Sequence, residues 1–287
     1  MKKFGLIGNP INTSLSPALF RAGYNGKYAY DLIEESDFET AYKRFMDGYA
    51  GINITAPFKV QAFERADRKD PNCRKIGAAN LIVKDSAGLT TAYNTDFPGI
   101  ILSILEAILP ESGFEFFNMY GQDFSSVSNM LPTIYGHRPN AVIAGCGGAG
   151  RAAAAAAASI GYDTLLVNRT EAKAMKIAED MPEFHFRTGE ISLFREYLEK
   201  ADLLIYTIPE RIPEMEGLDR KIFSRPGKII LEANYRNPSF GPAEQEMLRE
   251  CEGIYVSGKR WLLYQALVGF KTFTRKNPDF VQMAKVL

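Results

Sequence analysis

An α/β chain of two units, the first built on a mixed sheet and the second on a doubly wound parallel sheet, is what the sequence predicts. Three observations carry that prediction. Apolar strand-like runs alternate with amphipathic helical ones nearly throughout, the pattern of sheets covered by helices. AANLIVK and LTTAYN, residues 78–84 and 89–94, are joined by Asp85, Ser86, Ala87 and Gly88, a hairpin signal that brings antiparallel pairing into the first sheet. AVIAGCGGAGRAAAAAAA sets a glycine-rich turn between a buried strand and a helix, and a fresh series of strands and helices follows it.

Taken in order, FGLIG (4–8) and KYAYDLI (27–33) read as strands, SDFETAYKRFMDG as a helix closed by Gly48, GINIT as a strand and residues 58–67 as a helix. Ser16 before Pro17 reads as a helix N-cap, because serine favours that position and proline the first helical one. Beyond the hairpin, GIILSILEAIL continues a helical pattern from Asp96 to Pro110, and Asp96 reads as a cap for a helix starting at Phe97. Residues 110–139, rich in Phe, Tyr, Ser and Gly without a sustained period, read as a connection carrying an insertion. Then come strand NAVIAG, helix 149–160, strand DTLLVN, helix 170–180, strand EFHFR, helix 191–200, strands DLLIYT and KIILEA, helix 242–251 and strand GIYVS. Helices at 261–274 and 278–286 have no strand after them, so they are expected to pack back on the first unit.

Composition excludes several classes. The 287 residues are 46% hydrophobic and 24% charged, ordinary for a globular chain of two domains. Lys plus Arg and Asp plus Glu both number 34, so no global field draws nucleic acid or an anionic membrane. Cys73, Cys146 and Cys251 are odd in number and widely spaced, which indicates neither a disulfide framework nor a zinc site. A reducing cytoplasm is expected, with no metal. No run reaches the roughly 18 apolar residues of a membrane helix, and the N-terminal apolar stretch is too short for a signal core.

Gly145, Gly147, Gly148, Ala149 and Gly150 sit where a dinucleotide pyrophosphate would meet backbone N–H groups and a helix N-terminus. The next strand ends at Asn168, Arg169 and Thr170, where an NAD enzyme would carry an acid for the ribose 2′-hydroxyl. No acid stands there. Arg169 and Lys173 suit a 2′-phosphate instead, so NADP is the expected cofactor.

A second set of polar residues falls at predicted strand ends. Ser14 and Ser16 follow the first strand, and NITAPFK (53–59), GAAN (77–80) and YNTD (93–96) follow others. With S-x-S-P at 14–17, N-x-T-x-P-x-K at 53–59, G-A-x-N at 77–80, N-T-D-x-x-G at 94–99, G-x-G-G-x-G at 145–150, N-R-T at 168–170 and G-x-x-x-L-x-x-Q at 258–265, the chain resembles the shikimate dehydrogenase family nearly throughout. That resemblance implies an N-terminal substrate domain, residues 1–109 completed by 259–287, and a Rossmann-like NADP domain at 140–258. It implies NADP-dependent interconversion of shikimate and 3-dehydroshikimate, a step of aromatic amino acid biosynthesis, in a cytoplasmic monomer or homodimer.

Carried over residue by residue, the resemblance assigns Ser14 and Ser16 to the substrate carboxylate, with Tyr235 nearby, and Thr55, Asn80 and Gln265 to ring hydroxyls. It makes Lys59 and Asp96 the catalytic pair, and adds Thr207 and Gly258 to the cofactor positions. The residue types suit the chemistry: a secondary alcohol that loses hydride must also give its hydroxyl proton to a base, and the reverse step needs a donor. The chain departs from the family at Leu81, where Thr is usual, at Lys259, Arg260 and Trp261, where L-G-M is usual, and around Tyr235. A dehydrogenase of quinate or another hydroxylated cyclic acid is therefore an alternative, as is a catalytically weak NADP-binding regulator. His137 and His185 fall in no motif and read as structural or exposed.

Overall fold

Two six-stranded sheets organise the computed structural model, which describes residues 2–109 and 124–287. The chain divides into two compact units, Met1–Gly99 with Leu262–Leu287, and Ile100–Trp261.

In the first unit β1 (Lys3–Gly8), β2 (Ala29–Glu34), β3 (Gly51–Ile54), β4 (Arg68–Lys69), β5 (Leu81–Lys84) and β6 (Thr90–Tyr93) stand in the order β2-β1-β3-β5-β6-β4. β1 runs parallel to β2 and β3, whereas β5 is antiparallel to β3 and β6, so the sheet is mixed. The hairpin turns on Gly88 at φ +83°, a conformation glycine adopts without steric cost. The Asp85 carboxylate ties it off by accepting from the N–H groups of Ala87 and Leu89, both at 2.9 Å.

Strand alternation gives this sheet two apolar faces. Ile7, Ile33, Ile52 and Ile54 pack against Phe38, Ala41, Tyr42 and Phe45 of helix Phe38–Gly48. Asp37 starts that helix by accepting from Thr40 N. The opposite face carries Phe4, whose ring stacks on Phe273 at 4.9 Å, while Phe20 meets Phe270 edge-on at 4.7 Å. Helix Gly258–Thr274 thus returns Phe270 and Phe273 to the first sheet, as its lack of a following strand predicts. Burying each ring contributes about 1.5–3 kcal/mol.

In the second unit β7 (Asn140–Ala144), β8 (Asp163–Asn168), β9 (Arg187–Glu190), β10 (Leu203–Tyr206), β11 (Ile229–Glu232) and β12 (Ile254–Ser257) form a parallel sheet. The order β12-β11-β10-β7-β8-β9 is doubly wound, and its direction of winding reverses between β7 and β10. In such sheets ligands bind beyond the strand C-termini at that reversal.

Several local expectations are corrected. EFHFR is not a strand: Pro182–Phe184 forms a 3₁₀ turn, His185 takes φ +51°, and pairing begins only at Arg187. Helix Ser16–Gly23 includes Ser16, so this serine is no cap; Leu15 holds the cap position, and the Ser16 N–H donates to Ser14 Oγ at 3.2 Å. Helix Asp96–Ile108 likewise begins at Asp96, and its Phe97 N–H donates to Asn94 Oδ1 at 3.2 Å. Helix Pro71–Ile76, capped by Asp70 on Asn72 N and Cys73 N, was not anticipated. Of the aromatic stretch 110–139, residues 110–123 lie outside the described residues, and Ser125–Tyr135 is helical.

One buried lysine closes a helix in the second unit. Lys228 Nζ donates to the carbonyls of Leu198, Glu199 and Ala201 at 2.5, 3.3 and 2.6 Å, at the C-terminal end of helix Phe194–Lys200, where carbonyls lack the N–H groups of a following turn. Burial, reinforced by the Arg225 guanidinium, lowers the Lys228 ammonium from 10.5 to about 7. The folded chain therefore sheds this proton before the unfolded chain does. Stability should rise between pH 7 and 8.5, by on the order of 1 kcal/mol, and fall as pH drops back through 7. Urea midpoints across that range should show this rise in the native chain and lose it in Lys228→Met; parallel pH profiles would exclude the assignment.

Candidate active site

The loop after β3 turns at Pro57 into helix Lys59–Arg65, which puts Lys59 at its first residue. Asp96 opens another helix just beyond β6. Lys59 Nζ donates to Asp96 Oδ2 at 2.6 Å, with the side chains only 14% and 8% exposed. An ammonium and a carboxylate removed from water to that degree must remain paired, since losing either strands a buried charge. Asn94 takes the Phe97 N–H, and Asp96 faces the lysine.

A chain of neutral hydrogen bonds occupies the same unit. Asn80 Nδ2 donates to Gln265 Oε1 at 3.2 Å, and Asn80 Oδ1 accepts from the N–H and hydroxyl of Thr95 at 2.7 and 3.2 Å. Thr95 Oγ1 also donates to Gln265 Oε1 at 3.2 Å. Gly99 permits this meeting, because a β-carbon there would lie 2.8 Å from the backbone nitrogen and Cβ of Gln265. Ser14 Oγ donates to Ser16 Oγ at 3.2 Å. Thr55, half-buried, donates its N–H to Ile7 O at 2.9 Å and so fixes the NITAPFK turn on β1.

The structure therefore brings Lys59 to Asp96, Asn80 to Gln265 and Ser14 to Ser16. Three residues that the motif reading did not single out as site residues join them. Thr95 links Asn80 to Gln265. Asn53 Nδ2 donates to Asn80 O at 3.3 Å. Tyr30 donates its hydroxyl to Asn53 Oδ1 at 2.9 Å. Thr95 and Asn53 lie inside quoted motifs, but Tyr30 sits mid-strand in an alternating run that reads as packing alone.

In the second unit the glycine-rich turn sits at the sheet's winding reversal. Gly145 takes φ +100°, and a β-carbon on Gly150 would stand 1.9 Å from Gly145 O, so neither position accepts a side chain. A β-carbon on Gly147 would meet nothing within 4 Å. The middle glycine thus faces open space at the N-terminus of helix Gly148–Ser159, where Ala149 and Gly150 lie in the first turn. The free N–H groups and positive dipole end there fit a pyrophosphate. Thr207 Oγ1 donates to Ala144 O and Gly145 O at 3.0 and 3.2 Å, which pins the turn to the end of β10. Asn168 Oδ1 accepts from Cys146 N at 3.1 Å while its Nδ2 donates to Thr170 O at 2.9 Å, coupling the turn to the end of β8.

Arg169 is 62% exposed, and its guanidinium stands 3.8 Å from Glu210. Lys173 is exposed in the first turn of helix Glu171–Asp180, whose cap position Thr170 holds without a side-chain bond. This cationic pair beside the turn suits an anionic group on the ribose. Gly258 opens helix Gly258–Thr274, where a β-carbon would meet Ala233 O at 2.2 Å.

Tyr235 lies in the same unit, half-buried under the Arg236 guanidinium, in the loop after β11. Glu232 holds that loop by accepting from Phe240 N at 3.2 Å and Tyr255 OH at 2.9 Å, and burial raises the Glu232 carboxyl above its ordinary range. Arg260 donates from Nε to Glu106 at 2.8 Å, Trp261 is buried, and Leu81 is fully buried against the place where Gly269 lacks a β-carbon. His137 bonds Asp202 at 3.0 Å, and His185 is exposed in its turn.

A family model described as the shikimate dehydrogenase substrate binding domain matches residues 6–82. Among solved structures, a quinate dehydrogenase from Corynebacterium glutamicum in complex with NAD superposes with a TM-score of 0.79 at 21% identity, covering 99% of this chain and 98% of that one. A shikimate 5-dehydrogenase from Thermus thermophilus in complex with NADP(H) and shikimate gives 0.74 at 24%, covering 100% and 98%. These likenesses establish the fold. The sequence of a shikimate dehydrogenase (NADP(+)) from Methanosarcina mazei is 30% identical over 303 aligned residues, covering 99% of this chain and 96% of the relative. Matched from end to end at that identity, and with its first unit recognised by the family's substrate-domain model, this chain belongs to the shikimate dehydrogenase family.

Proposed function

We propose that this chain is an NADP-dependent shikimate dehydrogenase, which reversibly reduces 3-dehydroshikimate to shikimate. The observation that carries this reading is the buried 2.6 Å contact between Lys59 and Asp96 in the unit that holds the Asn80, Thr95 and Gln265 network. NADP, when bound, supplies the hydride acceptor in one direction and the donor in the other. The protein's own task is the proton. In reduction the Lys59 ammonium, held by Asp96, gives a proton to the carbonyl oxygen and is left as the amine; in oxidation that amine takes the hydroxyl proton as the alcohol carbon loses hydride. The 2.6 Å hydrogen bond aims Nζ, and Asp96 balances the charge that a proton on Nζ creates.

The remaining residues bind and orient. Ser14 and Ser16 present hydroxyls for the substrate carboxylate, with Tyr235, while Thr55, Asn80 and Gln265 take ring hydroxyls. Gly145, Gly147, Gly148, Ala149, Gly150, Thr207 and Gly258 shape the cofactor's seat. Asn168, Arg169, Thr170 and Lys173 read its ribose end, the two cations taking the 2′-phosphate. Residues 1–109 and 259–287 form the substrate domain, 110–139 the connection and 140–258 the NADP domain. The enzyme works in the cytoplasm as a monomer or homodimer in aromatic amino acid biosynthesis. Among the described residues no helix is long and apolar enough to cross a membrane.

The direct experiment follows NADP reduction with shikimate and with quinate, each at saturation. Turnover with shikimate is expected to exceed that with quinate, and a chain that binds NADP yet oxidises neither is not this enzyme. Lys59→Ala should lower kcat by roughly 10²- to 10⁴-fold and leave the NADP dissociation constant within about twofold; near-native kcat would remove Lys59 from the chemistry. Arg169→Asp should move the ratio of kcat/KM values from NADP toward NAD, because it exchanges a phosphate-binding cation for an acceptor of the 2′-hydroxyl. An unmoved ratio would place the 2′-phosphate elsewhere.

A further inference from the structure

We infer that Asn234 is a positioning residue for substrate, holding the turn that presents Tyr235. The inference rests on the proposed role of Tyr235 at the substrate carboxylate and goes beyond it, since no motif assigns Asn234 a role.

Tyr235 lies on the loop between β11 and helix Pro242–Glu250. Asn234 Oδ1 accepts from the N–H groups of Arg236 and Asn237, both at 3.2 Å, and so closes the chain tightly around Tyr235. Asn234 Nδ2 donates to Pro209 O at 2.8 Å, which ties the turn to the loop after β10. These three partners fix the amide's orientation, because its oxygen faces two donors and its nitrogen faces a carbonyl. One side chain thus both shapes the turn and moors it.

The ends of the loop are held independently. Ala233 N donates to Tyr206 O at 2.9 Å at its start. At its close Glu232 accepts from Ser239 N, from Phe240 N at 3.2 Å and from Tyr255 OH at 2.9 Å, while the Arg211 guanidinium donates to Ser239 O. Between those ends the half-buried Tyr235 ring lies under the Arg236 guanidinium at 5.5 Å, and among the described residues its hydroxyl makes no hydrogen bond. All of these groups belong to the second unit. A turn that commits the polar groups on both sides of a tyrosine and leaves its phenol uncommitted presents that phenol to a ligand. A phenol suits a carboxylate, since a charged acceptor makes the stronger bond, and a donor fixed before binding costs less to order. The cost of losing Asn234 should therefore fall on recognition of the carboxylate. It should spare the proton transfer at Lys59 and the NADP turn, which Thr207 pins by its own bonds.

The test compares Asn234→Ala, Asn234→Ser, Tyr235→Phe and the double variant of Asn234→Ala with Tyr235→Phe. Each is assayed with NADP on shikimate and on its uncharged carboxamide. In Tyr235→Phe the preference for carboxylate over carboxamide, as a ratio of kcat/KM values, should fall about tenfold. Asn234→Ala should lower that ratio about fivefold through a raised KM for shikimate, with kcat and the NADP dissociation constant within about twofold of native. Asn234→Ser, whose hydroxyl accepts from the same N–H groups without adding charge, should lower it only about twofold. The double variant should show no greater loss than Tyr235→Phe alone, because Asn234 acts through that phenol. An Asn234→Ala enzyme that keeps its preference, a serine variant as impaired as the alanine one, or an additive cycle overturns the inference while leaving the role of Tyr235 standing. A Tyr235→Phe enzyme that keeps its preference overturns that role, and this inference with it.

Discussion

A crossing of two helices with no room for a β-carbon is the constraint on which the first unit's site depends. Helix Asp96–Ile108 passes helix Gly258–Thr274 at Gly99, so closely that Gln265 stands where a side chain on Gly99 would be. Gln265 is 185 residues from Asn80 in the chain, yet only that passage lets the two amides meet. The same approach recurs at Gly269, where a β-carbon would touch Leu81 at 3.0 Å and stand near Thr95 and Asn53. The aromatic packing of Phe270 and Phe273 on Phe4 and Phe20 supplies the apolar burial that holds the helix there. Packing thus fixes the positions of polar groups that contribute little to stability themselves.

The second unit uses glycine differently. Gly145 is required by its positive φ and Gly150 by the carbonyl it faces, but Gly147 is under neither demand. A residue without local steric reason, between two that have one, is what an open seat for a ligand at a helix N-terminus requires. Thr207 and Asn168 spend their side chains on the turn, so its shape is set before any ligand arrives. Arg169 and Lys173 remain at the surface, where a flexible cation meets an anion at little desolvation cost.

What the sequence made legible were features that backbone geometry demands of particular residues. Alternation located the strands, the glycines located the nucleotide turn, and Gly88 with Asp85 located the hairpin. Less legible were choices between equivalent hydrogen-bonding groups. Asp96 and Asn94 both suit a helix start, and only their placement shows Asn94 on the Phe97 N–H and Asp96 on Lys59. EFHFR alternates well enough for a strand, but Pro182 begins a tight turn that delays pairing by four residues. Tyr30 was hidden for a related reason: on an alternating strand an inward tyrosine looks like core, and its hydroxyl acquires meaning only through Asn53, on β3. Lys228 is only the first residue of the run KIILEA in the sequence, and its role appears with its three carbonyl partners.

The departures from the family pattern take on structural work in this chain. Leu81 replaces a hydroxyl with an apolar side chain and is fully buried, facing the gap at Gly269, so its place is in the packing of helix against sheet. Arg260 is engaged by Glu106, which neutralises the charge that the substitution introduces. Trp261 is buried in the same turn and adds the largest apolar side chain available at that point. Leu81 and Trp261 are thus accommodated by packing and Arg260 by a counter-charge, whereas Lys59, Asp96, Asn80 and Gln265 hold polar partners. A site that had drifted from its chemistry would have no physical reason to hold an ammonium and a carboxylate together out of water, since a well-packed apolar pair in that place often costs nothing. An ion pair held out of water beside such packed neighbours is the physical support for the proton-transfer role proposed for Lys59.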